Sequence, residues 1–297
     1  MNLFLKAAEI WVPDKSGGFL NLVSADYGEL DEFANASSQL TFSWGEGLPG
    51  QAWQLKTPLI WTDLSNSYFQ RTVVAQKSGI TCGLSIPIIC GEFVTAVVVL
   101  FFGASAGEGG AVEIWYNHEG SHNELKLLDG FYGDLDRFEY VSRRLTLMRG
   151  RGLPGIAWET AKPLILGNLA ESNTFIRARN AAESGISTGM AIPFRVNGDD
   201  FMIVTLLSAA GTPIALRFEV WLPHNERSRL LFHSGYSVTG EDLQDRYRDA
   251  AVNKGEGLLG GTWLSGYPIL AKSQGTRELA IPLIQNGELS AIVRLVF

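Results

Sequence analysis

Gly45-Glu-Gly-Leu-Pro-Gly50 returns as Gly150-Arg-Gly-Leu-Pro-Gly155 and as Gly255-Glu-Gly-Leu-Leu-Gly260, with a spacing of 105 residues each time. A fixed period of this length marks one structural unit copied in tandem, so the fold question reduces to a unit of about a hundred residues. Each copy places a Trp three residues after the last Gly (Trp53, Trp158, Trp263) and a Pro five residues later (Pro58, Pro163, Pro268). Each opens on an apolar-Glu-apolar-Trp run: Ala8-Glu9-Ile10-Trp11, Val112-Glu113-Ile114-Trp115 and Phe218-Glu219-Val220-Trp221. The first two copies also share Phe69-x-Arg71 with Phe175-x-Arg177, Gly79-Ile80 with Gly185-Ile186, and Ile86-Pro87 with Ile192-Pro193. From Pro58 to Pro87 is 29 residues and from Pro163 to Pro193 is 30, but Pro268 to Pro282 is only 14. The third copy therefore lacks one block of about fifteen residues.

Read along the first copy, the pattern predicts strands over 9–12, 19–23 and 40–44 and a short amphipathic stretch near 29–37. A helix over 50–55 and a strand over 59–61 follow the glycine turn, with Pro58 between them. Asp63-Leu-Ser65 offers an N-cap to a helix over 68–77, which Gly79 closes. Two antiparallel strands, 81–89 and 94–102, complete the unit. The last is apolar throughout, as expected of a strand covered on both faces. The fold class is α+β: three repeated units over 1–105, 106–211 and 212–297, each an antiparallel sheet with short helices on one face.

Taken together, GxGLPGxAWxxxxPLI, DLSxxxFxR, AxxxGI and IPI before an apolar final strand resemble a GAF domain. The resemblance covers nearly all of the first two copies and is weaker in the third. It implies a small-molecule sensing or dimerisation module whose ligand lies between the sheet and the block that the third copy lacks. The candidate ligand-binding residues are then Trp53, Trp61, Asp63, Phe69, Arg71, Trp158, Phe175 and Arg177. Core packing accounts for the aromatics equally well, and Arg71 has an alternative in capping or in pairing with Asp63. GAF domains carry terminal helices on the back of the sheet. Here the links, 103–111 and 209–216, are too short to supply them. The bare sheet faces must then cover one another, or two chains must meet.

Other motifs read more plainly. Gly45-x-Gly47-x-x-Gly50 matches a dinucleotide fingerprint, but Pro58 truncates the helix that such a site needs, so a tight turn is expected. His118-Glu119-Gly-Ser-His122 matches a zinc-protease string, yet it falls at a hairpin turn with no third ligand evident. Cys82 reads as a buried, inert thiol. With Cys90 it makes a set of two cysteines, which suggests a reducing, cytoplasmic setting. A net charge of −7 without Lys/Arg runs argues against nucleic acid or anionic membrane as partner. No apolar stretch approaches the length of a membrane span, and the first residues do not read as a signal peptide. No catalytic set, metal or cofactor is called for. The expected role is non-catalytic sensing or regulation through a small-molecule ligand and through self-association or a protein partner. The alternatives are a purely structural assembly with filled pockets and a GAF-fold redox enzyme.

Overall fold

The computed structural model describes all residues except 1–2, 65–67, 104–108, 118–122, 225 and 274, and no side chain at 197 or 273. The His118–His122 string, Ser65 of the expected N-cap and most of the first link therefore lie outside the described residues.

In the first unit, β1 (Leu5–Pro13), β2 (Phe19–Asp26), α1 (Asp31–Ser38), β3 (Thr41–Ser43), α2 (Gly47–Leu55), β4 (Leu59–Trp61), α3 (Thr72–Lys77), β5 (Cys82–Cys90) and β6 (Phe93–Phe102) form one antiparallel sheet in the order β3-β2-β1-β6-β5-β4. The second unit repeats this with β7 (Gly109–Tyr116), β8 (Glu124–Gly133), α4 (Asp136–Ser142), β9 (Thr146–Met148), α5 (Gly152–Thr160), β10 (Leu164–Leu166), a 3-10 turn (Leu169–Glu171), α6 (Ala178–Ser184), β11 (Ile186–Asn197) and β12 (Asp200–Ala209). The third has β13 (Arg217–Pro223), β14 (Arg229–Ser237), α7 (Leu243–Arg246), β15 (Ala251–Asn253), α8 (Gly257–Ser265), β16 (Ile269–Ser273), β17 (Thr276–Gln285) and β18 (Glu288–Val296). Its strand order is the same, and β16 runs into β17 with no helix between them.

The glycine motif is a backbone device in all three copies. Its first two glycines take φ of +79° and +60° at Gly45 and Gly47, +72° and +67° at Gly150 and Gly152, and +89° and +56° at Gly255 and Gly257. The third glycine packs against a carbonyl. A Cβ on Gly50, Gly155 or Gly260 would stand 2.4, 2.2 or 2.2 Å from the oxygen of Ser43, Met148 or Asn253. The turn is closed by Gly45 N–H donating to the Gly50 carbonyl, with the same bond in each copy. The following helix begins inside the motif, at Gly47, rather than after Pro49 as the sequence suggested. Proline is compatible there because a first-turn residue has no intrahelical N–H bond to lose. The helix expected over 68–77 is confined to Thr72–Lys77.

Alternation along the central strands divides the interior. Val97, Val99 and Phe101 of β6 face the unit's own helices, in a core with Trp11, Phe33 and Phe69. Ala96, Val98, Leu100 and Phe102 face the other way, into a core shared by all three units. There they meet Ile114, Val204 and Leu206 of the second unit and Val220, Val293 and Leu295 of the third. The bare sheet faces thus cover one another. Each buried Val, Leu or Ile contributes about 1.5–3 kcal/mol, so separating the sheets would cost a large fraction of a domain's stability.

The contacts between units run in one direction round a ring. Strand β4 packs on β7 and β8, β10 packs on β13 and β14, and β16 packs on β2. These are equivalent pairings, and they close after three steps, giving pseudo-threefold symmetry within one chain. Lys272 and Arg277 of the third unit close the ring on buried Asp26 of the first, at 3.2 and 2.9 Å. No helix among the described residues is long and apolar enough to cross a membrane.

Candidate functional site

On β1, Glu9 and Trp11 lie two residues apart and so share a face, here the helix-covered one. The Trp11 indole N–H donates to Glu9 Oε2 at 2.8 Å, and the Tyr27 hydroxyl donates to Glu9 Oε1 at 2.9 Å. The Arg71 guanidinium completes the cluster with an ion pair to Glu9 and a further bond to Ser37 Oγ. Its carbon lies 4.7, 5.2 and 5.0 Å from the ring centres of Phe33, Phe69 and Phe101. Arg71 is 3% exposed and Glu9 fully buried.

The second unit reproduces the arrangement. Glu113 accepts from Trp115 Nε1, Tyr132 hydroxyl and Thr205 Oγ1 at 2.8, 2.9 and 2.8 Å, and pairs with Arg177. Arg177 also donates to Ser142 Oγ and lies over Phe138 and Phe175. Burial opposes the charged form of Glu113, but the Arg177 guanidinium and the other donors outweigh it and hold the carboxyl below its ordinary 4.5. Burial, reinforced by the adjacent glutamate, pushes the Tyr27 and Tyr132 hydroxyls above their ordinary 10.0.

The third unit lacks the block that carries the arginine, yet it keeps the cluster. Glu219 accepts from Trp221 Nε1 at 2.9 Å, from Arg294 Nη1 at 3.0 Å and from the Tyr247 hydroxyl at 3.1 Å. Arg294 sits on β18 directly opposite Glu219. The corresponding residues opposite Glu9 and Glu113 are Val99 and Thr205. Tyr247 stands four residues after buried Leu243, as Ser37 follows Phe33 and Ser142 follows Phe138. In the unit without the arginine-bearing block, the cation thus comes from the neighbouring strand. An unpaired buried carboxylate costs several kcal/mol, which Arg294 and, 3.5 Å away, Arg217 offset here.

Of the candidate residues, Trp61, Phe69 and Arg71 come together, with the Trp61 and Phe69 rings 6.5 Å apart. Trp53 is buried and packs edge-on against Trp44 at 4.9 Å. Asp63 is exposed, and Arg71 pairs with Glu9 across 62 residues of sequence. Trp158 and Phe175 are buried in the second unit's own core, with Arg177 paired to Glu113. The residues that sequence reading missed are the glutamates, Tyr27, Tyr132 and Arg294. The only signal was the threefold Glu/Trp recurrence, which names no partner. Cys82 is fully buried, and burial, with Asp129 of the second unit nearby, pushes its thiol well above 9.0. Among the described residues no group of three or more His, Cys, Asp or Glu could hold a metal ion.

No family model and no curated protein sequence matches the chain. Solved structures do. The GAF domain of nlh2 from A. Aeolicus, in an inactive state, aligns at 25% identity over 34% of this chain and 59% of that one, with a TM-score of 0.27. The GAF domain of a phosphoenolpyruvate-protein phosphotransferase from Coxiella burnetii aligns at 18% identity over 33% and 56%, with a TM-score of 0.28. A GAF domain/HD domain protein from Geobacter sulfurreducens aligns at 12% identity over 33% and 63%, with a TM-score of 0.28. These are similarities to GAF domains. Each match spans about one repeat of this chain and about six tenths of the solved one.

Proposed function

We propose that the chain is a non-catalytic regulatory protein in which GAF-like units form a recognition scaffold, acting by self-association or by holding a protein partner. The observation that carries this reading is the repeated Glu–Arg–Trp–Tyr cluster. In the first two units the arginine that would greet a ligand is committed to a buried glutamate. A small molecule entering under Phe69 or Phe175 would have to take that arginine from its partner, at a cost of about 3–5 kcal/mol for breaking a buried pair. This favours the filled-pocket scaffold over small-molecule sensing inside a repeat. It also leaves the redox alternative without a cysteine pair, because Cys82 is sealed in the shared core and only Cys90 is exposed. Leu55, Tyr68, Val73 and Phe93 leave more than half of their surface exposed on the first unit and supply apolar contact area for association. Two free cysteines fit a reducing, cytoplasmic compartment.

The test is sedimentation velocity on the full chain over about a hundredfold range of concentration, with association expected to strengthen as concentration rises. A single monomeric boundary throughout would remove the self-association arm. Turnover of ester, phosphoester or sulfoxide substrates by the purified chain would sink the non-catalytic reading.

A further inference from the structure

The three copies act as controls for one another, because a surface position that the fold constrains should look alike in all of them. At the end of the sheet where the β5–β6, β11–β12 and β17–β18 hairpins turn, the first unit departs from the other two. Phe93 starts β6 opposite Cys90, where the second unit has Asp200 opposite Asn197 and the third Glu288 opposite Gln285. Phe19 starts β2 opposite Ser43, where the others have Glu124 opposite Met148 and Arg229 opposite Asn253. Trp44, one residue past β3, stands where the others have Arg149 and Lys254. Leu55 ends α2, where Thr160 ends α5 and Ser265 ends α8. Two units build the same elements with charges and hydroxyls, so the fold does not require apolar side chains at these positions.

The four are exposed to water: Phe19 by 48%, Trp44 by 51%, Leu55 by 55% and Phe93 by 76%. Lys56 and Glu92, the neighbours of Leu55 and Phe93, are joined by Lys56 Nζ donating to the Glu92 carbonyl at 2.7 Å. Trp44 leans edge-on against Trp53 at 4.9 Å, whereas Arg149 and Lys254 set a cation over Trp158 and Trp263. With a whole aromatic side chain presenting 150–250 Å², the exposed part of the four comes to roughly 450 Å². That is as large as the largest apolar patch of an ordinary monomer, about 300–600 Å², and such patches are often functional.

We infer that this end of the first unit is the surface by which the chain pairs with a second copy of itself, as a closed two-fold dimer. The inference rests on the association reading above and names its surface. Two such patches face to face bury about 900 Å², and flanking residues bring the contact to about the 1,000 Å² that a specific interface needs. Copies of net charge −7 repel, so a self-contact needs a surface where like charges do not meet. The patch itself is uncharged, and one exposed cation, Lys56, and one exposed anion, Glu92, flank it. In a two-fold contact the Lys56 of each copy can face the Glu92 of the other. The β1–β2 turn adds one charge of each sign, Asp14 and Lys15, and Glu46 is engaged by Ser43 N–H and Gln70. Because the second and third units carry charges at the equivalent positions, each chain has one such surface, and assembly stops at two.

Sedimentation velocity on the full chain should show a reversible monomer–dimer equilibrium with no larger species. Trp44→Arg/Phe93→Asp gives the first unit the residues that the second already carries, and it should weaken dimerisation at least about tenfold with an unchanged melting transition. Tyr68→Thr/Val73→Arg makes the same exchange at exposed positions over α3 and should leave the dimer intact. Cys90, opposite Phe93, reports on the surface directly: its reaction with a thiol reagent should slow at least about threefold once most chains are paired. Dimerisation that survives Trp44→Arg/Phe93→Asp, or that yields to Tyr68→Thr/Val73→Arg instead, overturns this surface and leaves the association reading standing. Growth beyond the dimer overturns the closed two-fold contact. A chain that stays monomeric overturns both. Should the double variant fail to fold, Cys90 labelling of the native chain decides, and a rate independent of pairing overturns the proposal.

Discussion

Replacing Arg177 by Met would leave the fully buried Glu113 carboxylate with its Trp115, Tyr132 and Thr205 donors but no countercharge. Removing one partner of a buried pair costs about 3–5 kcal/mol. On a chain of this size that corresponds to a fall in melting temperature on the order of 10 °C. Arg294→Met in the third unit should cost less, about 1–3 kcal/mol, because Arg294 is partly exposed and Arg217 remains 3.5 Å from Glu219. The pH dependence carries a sign. In the native chain the Glu113 carboxyl is held below 4.5, so its stabilising contribution is present above that pH and is lost as pH falls through the lowered value. Without Arg177, burial dominates and raises the carboxyl, so the variant gains relative stability on acidification. The difference between the two proteins should therefore be largest near neutral pH and shrink as pH falls from the variant's raised value toward the native chain's lowered one. Thermal denaturation from pH 7 to pH 4 measures it. A melting temperature within about 2 °C of the native chain at pH 7, or a difference that grows with acid, would refute the assignment of Arg177 as the countercharge.

Gly50→Ala should destabilise by about 1–3 kcal/mol, since its Cβ meets a backbone oxygen at 2.4 Å, whereas Gly79→Ala, with positive φ but open space around it, should cost about 1–2 kcal/mol; urea midpoints compare them. A thiol reagent should titrate Cys90 alone in the native chain and Cys82 only after denaturation, because Cys90 is exposed and Cys82 buried. Tyr27 and Tyr132 have raised hydroxyls, so their contribution to stability holds below the ordinary 10.0 and is lost as pH rises above it; ultraviolet tyrosinate absorption should show them ionising together with unfolding rather than before it. Asp26→Asn should loosen the seam between the third and first units, read as faster proteolysis at native pH.

The repeat made the α+β unit and its succession of strands and helices legible, because a motif whose glycines need positive φ and close backbone approach leaves little choice of residue. The short links made the shared core legible as well, since bare apolar faces have to meet something. The cluster inside each unit was not. Glu9 and Arg71 were both conspicuous, but a pairing across 62 residues is decided by packing, and a nearer carboxylate, Asp63, was available to the reader. Arg294 was further from reach, because it repairs the third unit from a strand position held by Val99 and Thr205 in the others.

Ile89, Arg195 and Ile284 occupy the same step of the three converging hairpins, two residues after Pro87, Pro193 and Pro282. Three identical subunits round such an axis would present three arginines there or none. Fusion of the copies into a single polypeptide lifts that restriction. Each hairpin is free to drift separately, so Arg195 can pair with Asp199 in one unit where the other two carry isoleucine.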